Sequence, residues 1–191
     1  MPKYSGRGVK TIRGTVTVDA NSRPVESLIF NYESPDRTKG WIVEDAWAWI
    51  VDFQVAENGG ALTADVSVNV YGNLATDSGS TSSATSPPTA NATCDPDESR
   101  QIGWLQKQWA GKNTNDFYMP QSTGITDCAF LLDLERIVTN DLYINLGYQQ
   151  SGGGDVLKTR LGYMIVLREV DLSPSQSLLQ QLKGIGQNID N

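Results

Sequence analysis

The sequence predicts an all-β protein: an antiparallel β-sandwich, jelly-roll-like, with roughly eight strands and a short C-terminal amphipathic helix. Three observations lead to this prediction. Segments of alternating apolar and polar residues recur along the chain, separated by turns rich in Gly, Pro, Asn and Asp. No internal segment has the helical pattern that the crossovers of a parallel sheet need. Charged residues are 19% of the chain, below the roughly 25% typical of globular proteins.

The strand signals lie at 11–18, 25–32, 41–55, 62–71, 128–134, 142–148 and 158–170. Residues 41–55 are long for one strand, so we expect a bend near Glu44-Asp45. Asn58-Gly59-Gly60 tolerates positive φ, which predicts a hairpin between 41–55 and 62–71. Residues 100–111 are a short strand or a helical turn, and 113–124 are a loop. The last strand is apolar on both faces, which indicates a central strand covered by another layer or with one face in an interface.

The chain divides into three parts. Residues 1–10 form a flexible basic arm, 11–171 the β-sandwich domain, and 172–191 a helical tail. The segment 76–99 is rich in Ser, Thr, Ala and Pro, so it lacks the apolar bulk to order itself and is predicted to be an exposed loop. No run approaches the ~18 apolar residues of a membrane span, and the first residues lack a signal-peptide core, so we expect synthesis in the cytoplasm.

The chain contains no histidine, and this bears most strongly on catalysis. Without histidine, Ser-His-Asp triads, Cys-His pairs and HExxH zinc sites are all excluded. Carboxylates remain, but those at 33, 36, 44, 45 and 52 suggest no acid–nucleophile pair, and the acidic cluster at 95–98 lacks the spacing of a calcium loop. We therefore predict no enzyme activity and no cofactor or metal site. Whether Cys94 and Cys128 form a disulfide stays open.

The positive charge is concentrated at the N-terminus. Four cations precede the first acid, Asp19: Lys3, Arg7, Lys10 and Arg13. With a net charge of −7, residues 1–18 carry +4 and the rest carries −11. A short basic arm of this kind makes weak, non-specific contacts with nucleic acid by releasing counterions from phosphates. The alternative is a solvated arm, or one that docks on a neighbouring subunit.

The C-terminal tail has the features of a short helix. Ser173-Pro174-Ser175-Gln176 matches a capping box with proline at the first helical position. One helical stripe then contains only Leu and Ile: Leu178, Leu179, Leu182, Ile185 and Ile189. Gly184 and Gly186 weaken the helix by about 1 kcal/mol each relative to alanine, so it needs a surface to dock on. That surface is either its own domain or a neighbouring copy.

Five tryptophans are candidates for binding. Trp41, Trp47 and Trp49 are all odd-numbered, so in a regular strand they lie on the same face. They form either an aromatic platform for sugar rings, or a packed core or subunit contact. Trp104 and Trp109 have polar neighbours, and they are the candidate glycan-contact residues. The alternative for this second pair is simple loop packing.

The organisation as a whole resembles that of viral single jelly-roll capsid proteins. The matching parts are the arm from Lys3 to Arg13, the alternating strands with their long Ser/Thr/Pro-rich loops, the apolar last strand 161–167, and the helical tail. The resemblance implies a sandwich of two four-stranded sheets and termini that engage neighbours or the genome. It also implies self-assembly without catalytic residues. The arm is shorter and the body more acidic than in capsid proteins that condense a genome directly.

These observations predict a structural virion protein whose copies assemble into an icosahedral-type shell, with the cations of the arm as inner-surface contacts and the tail stripe as subunit contact. Its partners would be copies of itself, other virion proteins, and nucleic acid contacted weakly through the arm. The rival hypothesis is a carbohydrate-binding β-sandwich module for phage or bacterial surface recognition, with Trp104 and Trp109 at the glycan.

Overall fold

The computed structural model describes residues 8–20, 22–32, 38–54, 66–79, 94–95, 97–114, 117–120, 128–151, 158–176 and 178–179; side chains are not described at 52–54, 66–68, 109–114, 117–120 and 151. This part of the chain contains nine strands. They are β1 (Val9–Asp19), β2 (Val25–Asn31), β3 (Lys39–Gln54), β4 (Val66–Ala75), β5 (Gln101–Thr114), β6 (Phe117–Pro120), β7 (Leu131–Leu132), β8 (Asp141–Ser151) and β9 (Lys158–Asp171). The prediction of an all-β antiparallel protein is confirmed.

The strands form two antiparallel sheets. One has three strands in the order β1-β9-β3; the other has six, in the order β2-β8-β4-β5-β6, with β7 paired to β5. Strands from the two halves of the chain pair in reverse order: β1 with β9, β2 with β8, and β4 with β5. β3 meets residues 129–138 through two bridges, Trp41–Val138 and Trp47–Ala129. This is one long antiparallel ribbon rolled into a sandwich, the jelly-roll topology.

The predicted hairpin between β3 and β4 is wrong. β3 pairs with β9 in the three-stranded sheet, whereas β4 pairs with β5 and β8 in the other sheet. The turn residues Asn58-Gly59-Gly60 lie outside the described residues. Glycines favour a change of chain direction, but they do not decide which strand becomes the partner. The intervening segment 55–65 is long enough to pass from one layer to the other.

β3 contains the bend that the sequence predicts, and the bend changes the positions of the tryptophans. The register against β9 shifts between Val43 and Asp45, so Glu44 is an extra residue in the strand. A bulge of this kind exchanges the two faces of the strand. Trp41 is therefore buried inside the sandwich, whereas Trp47 and Trp49 lie on the outer face. The expectation that all three tryptophans share one face is wrong for this reason.

The core lies between the two sheets. Its fully buried members include Val18 of β1, Leu161, Ile165 and Leu167 of β9, and Leu142, Ile144 and Leu146 of β8. β9 is central in its sheet, as its apolar pattern predicts, because β1 and β3 flank it. Its inner face is buried and its outer face is partly exposed.

Two predicted segments, the loop 113–124 and the strand 128–134, differ from the structure. β5 is a strand throughout and extends to Thr114, and residues 117–120 form β6, so the predicted loop at 113–124 is wrong at 113–114 and 117–120. The predicted strand 128–134 is reduced to the two residues of β7 and the bridge at Ala129. Residues 80–93 of the predicted exposed loop lie outside the described residues. No helix in the described ranges is long and apolar enough to cross a membrane.

Candidate assembly surfaces

The start of β1 and the end of β9 lie at the same end of the sandwich. Val9 pairs with Arg168 and Lys39 pairs with Asp171, so the start of β1 and the end of β9 lie side by side. The Glu169 backbone N–H donates to the Gly8 carbonyl at 2.9 Å and continues this pairing outward. Arm and tail therefore begin from one end of the domain.

The tail begins with a capping box, as the sequence predicts. The Gln176 backbone N–H donates to Ser173 Oγ at 3.3 Å, and the Ser173 backbone N–H donates to Gln176 Oε1 at 3.1 Å. Leu172, just before the cap, is buried beside Ile42 and Val170. This anchor and the cap fix the direction in which the helix leaves the domain.

The first apolar residues of the helix are exposed. Leu178 and Leu179 retain 58% and 54% of their accessible surface, respectively. At these two positions the stripe is not packed on its own domain. Leu182, Ile185 and Ile189, the remaining predicted contact residues, lie outside the described residues.

Two of the four cations of the arm are described, and they lie on opposite faces of β1. The Lys10 ammonium lies 4.6 Å from the centroid of the Phe30 ring on the inner side. Arg13 is exposed on the outer side, opposite Met164 of β9. Lys3 and Arg7 lie outside the described residues.

The outer face of the three-stranded sheet carries an apolar surface. We call it the outer apolar face, and it consists of Trp47, Trp49, Val51, Met164 and Val166. Val51 retains 43% exposure and the other four are partly buried. The Trp49 indole lies over Gly162, where an added Cβ would come within 3.1 Å of the ring. An aromatic and aliphatic surface on a sheet of this kind is typical of protein contacts.

The outer side of the larger sheet is covered instead. Tyr71, Asn73 and Asn145 lie there, opposite the core, and are fully buried. Asn145 Nδ2 donates to Asn73 Oδ1 at 2.9 Å. The Cys94 thiol lies on this side as well and donates to the carbonyls of Gly72 and Leu105 at 3.2 and 3.3 Å. Burial raises the pKa of this thiol, and neither cysteine forms a disulfide.

The candidate glycan residue Trp104 is held by its own chain. Its indole N–H donates to Gln101 Oε1 at 2.7 Å and also approaches the Asp95 carbonyl at 3.3 Å. The ring is partly buried, so its polar group is already engaged. The Trp109 side chain lies outside the described residues. The prediction that Trp104 and Trp109 contact a glycan together therefore stays a prediction.

Several of the described carboxylates form ion pairs with neighbouring cations. Glu44 pairs with Arg168, and Glu98 pairs with Arg100. The side chains of Glu33, Asp36 and Asp52, also considered for acid–base chemistry, lie outside the described residues. Among those described, no group of three acidic or thiol side chains is placed to hold a metal ion.

The Glu98–Arg100 pair fixes the segment before β5. The carboxylate accepts from Arg100 Nε at 2.9 Å and from Arg100 Nη2 at 2.8 Å, and Arg100 Nη1 donates to the Ser78 carbonyl at 3.2 Å. The hydrogen bond from the Arg100 side chain lowers the pKa of Glu98. Because the folded pKa lies below the unfolded one, the pair stabilises the fold above the unfolded pKa, and this contribution disappears as the pH falls through the folded pKa.

We therefore expect Glu98→Gln to lower the free energy of unfolding by about 1–2 kcal/mol at pH 7, because hydrogen bonds to a charged carboxylate are lost. The difference from the original chain should shrink as the pH falls below the ordinary pKa of a glutamate, about 4.3, and should disappear once Glu98 is protonated in the folded state as well. Urea unfolding across this pH range measures it. Glu135→Gln, at an exposed position, is the matched control. A difference that persists unchanged at low pH would contradict the prediction.

Neither a protein-family model nor a curated protein sequence matches the chain. Solved structures similar to it include VP1 of the Trichodysplasia spinulosa-associated polyomavirus, with 12% identity and a TM-score of 0.46 over 87% of this chain and 97% of that one. The unassembled VP1 pentamer of Merkel cell polyomavirus has 9% identity and a TM-score of 0.45, covering 91% and 98%. A virus-like particle of the Macrobrachium rosenbergii nodavirus has 9% identity and a TM-score of 0.29, covering 91% and 100%. In fold, the chain resembles viral jelly-roll capsid proteins.

Proposed function

We propose that this chain is a structural virion protein, a capsid subunit whose copies assemble into a closed, icosahedral-type shell. The observation that carries the proposal is the tail. A capping box and the buried Leu172 hold the start of the helix firmly, yet Leu178 and Leu179 project into solvent. An anchored, exposed apolar stripe is suited to a groove on another molecule. A second copy supplies such a partner at every position of a symmetric assembly.

Two further features support assembly. The outer apolar face is open to a partner, whereas the opposite face of the sandwich is covered and polar. The tail and the outer apolar face occupy different parts of the domain, so a contact between them is head-to-tail. Contacts of this type close into rings or shells when the rotation between copies permits.

Arm and tail start from the same end, so one end of each subunit concentrates its contacts. Lys3 and Arg7, which precede β1, would then face the interior and contact nucleic acid weakly, whereas Lys10 is held over Phe30 and Arg13 lies on the outer side of β1. Other virion proteins, docked on the same end, would complete the particle. The role is structural, and its place is the virion.

The test is the assembly state of the full chain. We expect static light scattering and negative-stain images to show closed particles at micromolar concentration. Leu178→Asp/Leu179→Asp should abolish them, because two carboxylates cannot enter an apolar contact without a large desolvation cost. Leu134→Asp is the matched control, since Leu134 lies in a turn and is 59% exposed.

A chain that stays monomeric at high concentration, with no particles in the images, would overturn the proposal. Equal effects of the tail variant and the Leu134 control would remove the specific role of the tail. Nucleic acid that copurifies with the particles and is released by salt would support contact through the arm.

A further inference from the structure

Among the residues that the structure describes, no strand pairs with the outer edge of β1, and this free edge is long and regular. β1 is the outermost strand of its sheet, and its eleven residues pair with β9 without a register shift. The hydrogen bond from Glu169 to the Gly8 carbonyl identifies the pair Gly8–Glu169 as hydrogen-bonded. Such pairs alternate along an antiparallel ladder, so even-numbered residues of β1 bond to β9. The backbone groups of the odd-numbered residues from Val9 to Thr17 therefore point toward the free edge, whereas the Asp19 carbonyl already accepts from the Ser22 N–H at 3.3 Å.

Two other strand edges have features that block pairing. β2 has only seven residues, follows Pro24, and contains a bulge between Leu28 and Phe30. The edge of β3 is occupied, because Val138 exchanges hydrogen bonds with Trp41 and the Phe130 N–H donates to the Ala46 carbonyl. β1 has no proline and no bulge. Its inward charge, Lys10, lies near the strand end and is held over Phe30. An unprotected edge is a template for another strand.

We propose that β1 pairs antiparallel with β1 of a second copy about a two-fold axis at Gly14. This joins two three-stranded sheets into one continuous six-stranded sheet. The inference rests on the proposed function and names the partner surface within it. The centre at Gly14 follows from the strand limits, since it is the midpoint of Val9–Asp19. It also sets odd residues opposite odd residues, so that free N–H and C=O groups face each other.

The side chains fit this register. Arg13 lies opposite Thr15 of the partner copy, whereas a centre at residue 13 would set two arginines face to face. Thr11 lies opposite Thr17, and on the inner side Ile12 lies opposite Val16. β-branched and threonine pairs of this kind stabilise antiparallel strands.

The register also gives the Arg13 guanidinium a partner. In this register Arg13 lies opposite Thr15 of the second copy. Across the sheet of that copy, Thr15 pairs with Gly162, and Gly162 pairs with Trp49. Gly162 has no side chain, and the indole lies directly over it. The distance from Arg13 Cα to that glycine is roughly 9–10 Å, two strand spacings. An extended arginine side chain reaches the indole across it, and the two-fold axis makes this cation–π contact twice.

Charge substitutions at Thr11 and Thr17 test both the interface and its register. Both side chains are exposed, so neither substitution disturbs the monomer. Thr11→Lys/Thr17→Lys sets like charges directly opposite at two symmetric places, and we expect the dissociation constant for two copies to rise by about 2- to 30-fold. Thr11→Glu/Thr17→Lys sets opposite charges there and should tighten it by a similar factor. Sedimentation velocity over a concentration series measures both.

Two controls complete the design. Ser78→Lys/Gln106→Lys adds the same charge at two exposed positions away from β1, in the turn after β4 and in β5, and should leave the constant unchanged. Thr15→Pro removes an N–H that points to the free edge, which an edge strand tolerates, and should abolish pairing; Thr15→Val keeps that N–H and should not. If Thr15→Pro does not fold, the two charge variants decide.

Unchanged dissociation constants for both charge variants would overturn the pairing at this register. If the tail variant abolishes particles while the β1 variants leave all association intact, the proposed function stands and this inference fails. If the original chain never associates, both fail.

Discussion

Replacing Gly72 by alanine should cost the protein about 3 kcal/mol or more of its free energy of unfolding. Gly72 lies in β4 opposite Leu146 of β8. A Cβ at this position would come within 2.3 Å of the Asn145 carbonyl oxygen and 2.8 Å of Leu146 Cδ2. The oxygen belongs to the backbone of the paired strand, so it cannot move away without separating β4 from β8. Overpacking against a fixed backbone is among the most destabilising single changes.

Chemical denaturation of the variant measures this loss. Gly8→Ala is the matched control, because the nearest atom to its Cβ would be Glu169 Oε2 at 3.5 Å, an ordinary contact. The control should change the free energy of unfolding by less than about 0.5 kcal/mol. Equal stability of the two variants would mean that β4 and β8 do not approach each other as described.

The strands themselves were predictable because their signal is local. Alternation of apolar residues marked β1, β2, β3, β8 and β9 close to their observed limits. The partners of these strands were not predictable in the same way. β1 pairs with β9 at the other end of the chain, and no residue near β1 specifies that choice. The glycines after β3 lie outside the described residues, and the hairpin partner that they indicated is wrong.

The tryptophans show a second limit of local patterns. Alternation set Trp41, Trp47 and Trp49 on one face, and a single extra residue at Glu44 reversed the strand between them. The pattern indicated a bend, but the exchange of faces depends on how β9 pairs across it. The outer apolar face therefore became visible only with the register.

The candidate assembly surfaces were also predictable only where their features are local. The capping box of the tail was predictable because Ser173 and Gln176 bond within one turn. The exposure of Leu178 and the free edge of β1 were not, since both depend on what the rest of the chain leaves uncovered. Local sequence specifies which groups are able to make a contact, and the fold decides which of them remain available.

Replacing Leu146 by alanine should remove about 2–5 kcal/mol of the free energy of unfolding. The side chain is fully buried on the inner face of β8, between Val25 of β2 and Gly72 of β4. Truncation loses the burial of its methyl groups and leaves a cavity that a sheet on each side cannot easily collapse. The melting temperature of a chain of this size should fall by roughly 5–20 °C. Leu131→Ala, at a position that is 74% exposed, should leave it nearly unchanged.

The same variant links stability to assembly. Association of folded copies stabilises the folded state by mass action, so the melting temperature rises with protein concentration only if copies associate. We expect the melting temperature of Leu146→Ala to rise as its concentration rises. It should rise less when Leu178→Asp/Leu179→Asp is added, because the tail contact is then missing. Calorimetry over a concentration series measures both. If the melting temperature is independent of concentration in every variant, the copies do not associate. That result would contradict the proposed assembly and leave the fold, which this core explains, unaffected.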